Sequence, residues 1–288
     1  MNRVIALLPH DRRDDVHESA VSMQAECASR GVDAHIVSCA EDLDALSELE
    51  LIVVIGGDGT ILRAAELVRD RSIPIMGINY GHVGFLAEID PSSQPDVVAA
   101  IVNREWSVDQ RMTIDISVRQ PSGEIVRAWA LNEASIEKGA DSRMIETDIG
   151  VDGKPVSSFK TDTVLLATPT GSTAYNFSAG GPIVWPDVEA ILLTPIAAHA
   201  LFTRPMVVGP SSRLDVQIRA DAAVVWCDGR RSIPAPVGST VSAVKGAHPV
   251  LLARLNNDPF SERLVKKFHL PVQGWRSDTP FGSRQQRG

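Results

Sequence analysis

Residues 55–60 read Ile-Gly-Gly-Asp-Gly-Thr and follow directly on the apolar run Leu51-Ile52-Val53-Val54. Glycines around a carboxylate at the end of a buried strand point to two needs: close approach to the backbone, and an acid beside it. Gly56, Gly57 and Gly59 have no Cβ, so a phosphate can reach the main-chain amides. Where a strand leads into a helix, those amides and the positive end of the helix dipole bind anions. Gly56, Gly57, Gly59 and Thr60 are therefore the candidate donor-phosphate contacts. Asp58 repels phosphate unless it has a separate task. It could meet a metal held by the phosphates, or take a proton from an attacking hydroxyl. The same letters also fit a plain strand-to-helix turn with Asp58 as its cap. No Gly-Lys-Ser/Thr follows, and the G-x-G-x-x-G spacing is absent.

A second constellation, Thr168-Pro169-Thr170-Gly171-Ser172-Thr173-Ala174-Tyr175, follows the apolar stretch Val164 to Ala167. Hydroxyls and amides crowded around a Gly and a Pro can bond a sugar or a base edge, and Tyr175 can stack or pack. A hydroxyl-rich turn capping a helix is the simpler alternative. There is no Gly-x-Ser-x-Gly, so a hydrolase nucleophile elbow is not indicated. A third piece, Asn132-Glu133 after Trp129 to Leu131, sets an amide and a carboxylate side by side, suited to a ribose or a polar ring edge.

The elements that must position these residues fall into two rhythms. From residue 1 to about 109, strand and helix signals alternate. Strands are expected at Arg3 to Leu8, Ala34 to Val37, Leu51 to Ile55 and Ile73 to Ile78. Helices are expected at Val16 to Arg30, Thr60 to Asp70 and Asp96 to Glu105. This predicts a Rossmann-like parallel sheet with helices on both faces. From Thr113 the pattern becomes strict alternation, with Asp152-Gly153 and Asp228-Gly229 as hairpin turns. That predicts a β-sandwich over 110–258. A helical period returns at Phe260, Leu264, Val265 and Phe268, in a tail (259–281) expected to pack back on the first domain, with Gly282 to Gly288 frayed.

Composition narrows the field. A formal net charge of −8 gives no basic field for nucleic acid. No run approaches the ~18 apolar residues of a membrane helix, and the apolar stretch near the start is too short for a secretory signal. Cys27, Cys39 and Cys227 have no metal spacing and suit a reducing cytoplasm. The seven histidines are scattered without ligand spacing. Arg12 and Arg13 are candidate phosphate contacts or plain solvated charges; Trp106 and Trp185 read as packing residues. Asn176-Phe177-Ser178 matches a glycosylation site but is not expected to act as one.

Taken together, Gly56-Gly57-Asp58-Gly59-Thr60, Gly77-Ile78-Asn79 with Gly84-Phe85-Leu86, Asn132-Glu133, and Thr168 to Tyr175 continuing to Ser178-Ala179-Gly180-Gly181-Pro182 resemble the bacterial NAD kinases over nearly the whole chain. The glycine loop alone is shared with lipid kinases and phosphofructokinases; the combination is more specific. The resemblance implies transfer of a phosphoryl group from ATP, in some members polyphosphate, to the 2′-hydroxyl of NAD's adenosine ribose. It implies a divalent metal, most simply Mg2+, arriving with the donor, and a homodimer or homotetramer. Asp58 matches the catalytic acid. Gly59, Asn132, Glu133, Thr173, Ala174, Tyr175, Asn176, Phe177 and Ser178 match NAD-pocket positions. Asp162 matches an acid at the nicotinamide end, although Thr163 follows it where relatives have Gly. Arg63, Arg143 and Lys160 fall where relatives place further contacts. Arg230 could meet a phosphate or point to solvent. Another kinase sharing the glycine loop, acting on a lipid or sugar, and a catalytically silent dinucleotide-binding regulator are the competing readings. The first should carry a membrane-docking segment and the second should lack Asp58.

Overall fold

The computed structural model describes residues 3–81, 84–140, 142–201, 203–255 and 259–272. His82, Asp258, the far part of the expected C-terminal tail and the Gly282–Gly288 end lie outside the described residues. The chain divides into two compact units, 1–67 with 73–108 and 253–288, and 68–72 with 109–252.

The first unit is built on a sheet whose strands Val32–Ile36, Arg3–Pro9, Leu49–Gly56 and Ile75–Asn79 lie side by side in that order, all parallel. Val250–Arg254 and Ser107–Arg111, neither expected from the sequence, extend it. Residues 5–8, 51–55 and 75–78 are apolar and buried throughout because both faces of the sheet are covered there. Ile5, Leu7, Val53 and Ile55 pack against Val16, Ala20 and Met23 of helix Asp14–Ser29 and Val97 and Ile101 of helix Gln94–Asn103. Helix Asp58–Leu67 packs on Leu49–Gly56 and Ile75–Asn79, burying Ile61, Ala64 and Ala65. The first long helix stops where Gly31 takes φ +80°, a left-handed conformation glycine adopts without a Cβ penalty.

Two expectations need correction. The helix after the glycine loop runs over Asp58–Leu67 rather than Thr60 to Asp70, so the acid opens the helix. A five-residue helix, Ala40–Asp44, also went unanticipated; Asp42 accepts from the amides of Ser38 and Cys39, a local polar signal too short to show periodicity.

The second unit stacks two antiparallel six-stranded sheets. One contains Ile114–Arg119, Ile145–Val151, Leu214–Ala220 and Thr240–Lys245; the other is centred on Glu133–Lys138, flanked by Thr163–Ala167 and Ala223–Cys227. Their inward residues, such as Ile116, Ile149, Val216 and Val241 from one and Ile136, Val164 and Val225 from the other, form one core. Asp152-Gly153 and Asp228-Gly229 turn with φ of 51°, 74°, 53° and 63°. Positive φ at both central residues is the type I′ geometry that matches strand twist.

Candidate functional site

In the first unit the strand Leu49–Gly56 ends at the glycine loop. The carbonyl of Gly57 accepts the amides of Thr60 (2.9 Å) and Ile61 (3.2 Å), closing the first helical turn. A Cβ on Gly57 or Gly59 would meet nothing within 4 Å, so that backbone is open, whereas one on Gly56 would lie 2.5 Å from Thr60 Oγ1. Asp58 does not cap its own helix. Its Oδ2 accepts the amide of Phe85 (3.0 Å), and its Oδ1 those of Leu86 and Ala87 (both 3.1 Å). The acid is thus fixed by a loop far downstream. That loop needs Gly84, whose Cβ would sit 2.1 Å from Asp58 Oδ1. Arg63, expected among the NAD contacts, donates to Asp11 and to the carbonyl of Ser38. Arg13 pairs with Asp15 and donates to the carbonyl of Tyr80.

In the second unit, antiparallel registry gathers three strand ends. Glu133 lies opposite Ala167, and Ala134 opposite Cys227. Asn132, Thr168 and Asp228 therefore meet at one edge of the sheet. Asp228 accepts from the amides of Leu131 (3.0 Å), Asn132 (2.7 Å) and Glu133 (3.3 Å), and from Arg231 (2.9 Å). Thr168 donates its hydroxyl to Leu131 O and its amide to Asn132 O. Gly171 packs so tightly that a Cβ would fall 2.0 Å from Asn132 O. Sequence reasoning saw Asp228 only as a turn residue. The Asp-Gly signal locates the turn but says nothing of where the carboxylate reaches.

Glu133 is 8% exposed. Burial, then the nearby Asp228 charge, push its carboxyl from the ordinary 4.5 up to about 8, against the amide of Tyr175, which donates to it. Its Oε2 has no partner among the described residues. The protonated form is the one that folding favours, so its stabilising effect is complete below pH ~4.5 and is lost as pH rises towards 8. One pKa unit is worth ~1.4 kcal/mol, so the total is of the order of a few kcal/mol. Glu133→Gln, uncharged at every pH, should gain stability relative to the parent between about pH 5 and pH 8. Urea unfolding at both pH values checks this; a difference that does not change with pH contradicts it.

The turn after Thr168 divides by exposure. Tyr175 (41%) and Phe177 (39%) are exposed, as is Ser178, while Thr173 and Ala174 are half-buried. Asn176 is 0% exposed and its amide is committed, accepting from Thr194 (2.7 Å) and donating to Pro182 O (3.2 Å). It braces the turn from within, and a glycosylation acceptor cannot sit there. Asp162 lies at the opposite end of strand Glu133–Lys138. It pairs with Lys138 (2.8 Å), which also donates to the carbonyl of Arg143 (3.0 Å). Lys138 was missed; nothing in its neighbours distinguishes it from a surface lysine. Lys160 is exposed, 3.8 Å from Glu146. Arg230 is exposed beside the Asp228-Gly229 turn. No group of three or more His, Cys, Asp or Glu among the described residues could hold a metal. Among them, too, no helix is long and apolar enough to cross a membrane.

Residues 9–106 match the family model described as the ATP-NAD kinase N-terminal domain, and residues 131–255 that of the ATP-NAD kinase C-terminal domain. An NAD kinase of Rhodococcus erythropolis is 47% identical over 94% of this chain and 86% of its own. NAD kinase 2 of Streptomyces coelicolor is 44% identical over 95% of this chain and 97% of its own. Among solved structures, a yeast NADH kinase complexed with NADH has the same fold, with a TM-score of 0.85 at 20% identity, over 96% of this chain and 89% of that one. An NAD kinase from Archaeoglobus fulgidus in complex with ATP gives a TM-score of 0.76 at 28% identity, over 93% of this chain and 100% of that one. With both family models matched and such identity sustained along nearly its whole length, the chain belongs to the NAD kinase family and phosphorylates NAD.

Proposed function

We propose that ATP is the donor, that the 2′-hydroxyl of NAD's adenosine ribose is the acceptor, and that Asp58 receives its proton. The observation that supports this is the filling of the Asp58 carboxylate. A carboxylate has about four acceptor positions. Two amides occupy Oδ1 and one occupies Oδ2, which leaves Oδ2 room for a hydroxyl. Because phosphoryl transfer passes through a loose transition state, a weak base that orients the hydroxyl and takes its proton late is sufficient. The archaeal relative solved with ATP supports the donor.

Gly56, Gly57, Gly59 and Thr60 receive the donor phosphates, where the bare backbone at Gly57 and Gly59 is open. Mg2+ is usually held by one or two carboxylates together with substrate phosphates rather than by a protein cage. An open glycine cradle fits a cation carried in on the donor. When bound, that cation neutralises charge developing on the phosphates. Asn132, Glu133, Thr173, Ala174, Tyr175, Phe177 and Ser178 contact NAD. Glu133 Oε2, without a partner among the described residues, is a buried polar atom that a ligand hydroxyl would satisfy. Asp162 serves the nicotinamide end, and Arg143 and Lys160 make further contacts to NAD. Arg63 and Asn176 act as braces. The enzyme works as a cytoplasmic homo-oligomer.

A coupled assay tests the reading: NAD, ATP and Mg2+ are supplied, and the product is offered to a dehydrogenase that accepts only NADP. Product should form and should vanish on chelation of the metal. A phosphorylated product that the dehydrogenase refuses would move the reaction away from the 2′-hydroxyl. Replacing ATP by polyphosphate settles the range of donors.

A further inference from the structure

The loop that grips Asp58 is itself gripped from its other side. Phe85 is 7% exposed, and its ring stands 5.7 Å from Phe260 and 5.8 Å from Phe268, tilted 42° and 44°. These two phenylalanines are the ends of helix Phe260–Phe268, which lies far along the chain. Three residues after Phe85, the Glu88 carboxylate accepts from Arg254 at the end of strand Val250–Arg254 and from Arg263 of the same helix. The guanidinium of Arg263 also lies over the Phe260 ring, 5.5 Å from its centre. Phe85, Leu86 and Ala87 thus present their amides to Asp58, while the side chains of Phe85 and Glu88 meet the C-terminal helix.

We propose that helix Phe260–Phe268, acting through Phe85 and Glu88, is a positioning element for the Asp58 carboxylate. This rests on the role given to Asp58 above. Three amides from consecutive residues fix both carboxylate oxygens, so the acid is only as well placed as the segment that carries those amides. Side chains from Phe85 and Glu88 are that segment's anchors. A misplacement of about 1 Å at a reacting group can lower a rate ~100-fold without touching substrate binding. Arg263 is the informative residue because its removal leaves Glu88 still paired with Arg254, whereas removal of Glu88 would take the shared carboxylate from both arginines.

The test uses the full-length enzyme carrying Arg263→Ala, with Arg263→Lys as the conservative variant and Phe268→Leu as a second, independent route. Amide hydrogen exchange at Phe85, Leu86 and Ala87 is followed alongside kcat and KM with NAD, ATP and Mg2+. The expected result for R263A and F268L is faster exchange at those three amides, unchanged exchange within helix Asp58–Leu67, and kcat lower by roughly tenfold or more with KM for NAD within about threefold. R263K should recover part of both. Unchanged exchange at residues 85–87 overturns the proposal, as does faster exchange with kcat unaltered. A failure of the Asp58 assignment would show elsewhere, as turnover surviving Asp58→Asn; the exchange readout does not pass through catalysis and separates the two.

Discussion

Asp58→Asn should lower kcat by about 10²- to 10⁴-fold while the affinity for NAD changes little. The factor is what a general base ordinarily contributes. The substitution keeps size and leaves one acceptor oxygen, but it puts an NH2 where a carboxylate oxygen stood. If the amide oxygen faces Leu86 and Ala87, the new donor confronts the amide of Phe85 and no longer accepts a hydroxyl's proton. If the side chain is flipped, two loop amides confront a donor instead. The first orientation removes the one remaining acceptor position at Oδ2; the flipped one keeps an oxygen there but sets two donors against the NH2, and in neither is the group a base. The residues proposed to hold NAD belong to other elements and keep their contacts, so binding measured by calorimetry should stay within a few-fold of the parent. Turnover close to the parent's would remove Asp58 from the chemistry. A large rise in the NAD dissociation constant would make it a binding residue instead.

What could be read from the chain follows the range of the physical signal. Apolar strands followed by helical periods announce a parallel sheet because local patterning records two-faced burial, and Leu51 to Ile55 is 0% exposed throughout. The turns at Asp152-Gly153 and Asp228-Gly229 were legible because positive φ at two successive residues demands those residue types. The bare backbone of the glycine loop was legible from Gly57 and Gly59, and the structure keeps it open. Long-range partners were not. Asp58 finds its amides 27 to 29 residues later. Asn132 finds Asp228 across 96 residues, through strand registry that no local window contains. Arg63 and Asn176, both expected as NAD contacts, make hydrogen bonds within the chain here and have residue types that serve equally well for ligands and for such bonds. Only burial and partners separate those uses, and neither is written in the neighbouring letters. The final strand Val250–Arg254 and helix Phe260–Phe268 show the same limit. Their periods were plain for the helix and faint for the strand, whereas Glu88 as their common partner was invisible.

Asp228→Asn should destabilise the second unit by about 1–3 kcal/mol, the usual cost of leaving a buried hydrogen-bonding group unsatisfied. The residue is 7% exposed, and burial pushes its carboxyl up while three backbone amides and Arg231 hold the charged form. Asparagine tolerates the left-handed φ of 53° at this turn, so the hairpin itself should survive and backbone strain does not enter. The loss comes from chemistry. If the amide oxygen stays towards Asn132 and Glu133, its NH2 faces two donors, the amide of Leu131 and the guanidinium of Arg231. Flipping the group only moves the conflict to Asn132 and Glu133. Arg231 does not lose every neighbour, since it also stacks 4.5 Å from the centre of the Trp129 ring. That contact keeps the variant foldable but cannot replace a carboxylate. A second effect identifies the cause. Because the Asp228 charge is one of the two forces raising Glu133, its removal should bring the Glu133 carboxyl back down. The loss of stability with rising pH should then end at a lower pH, and be smaller, in the variant. Urea unfolding across about pH 5 to pH 8 reads both effects at once. A loss under ~1 kcal/mol would show that the amides at 131–133 are held by the sheet registry alone. An unmoved pH dependence would show that burial by itself sets the state of Glu133.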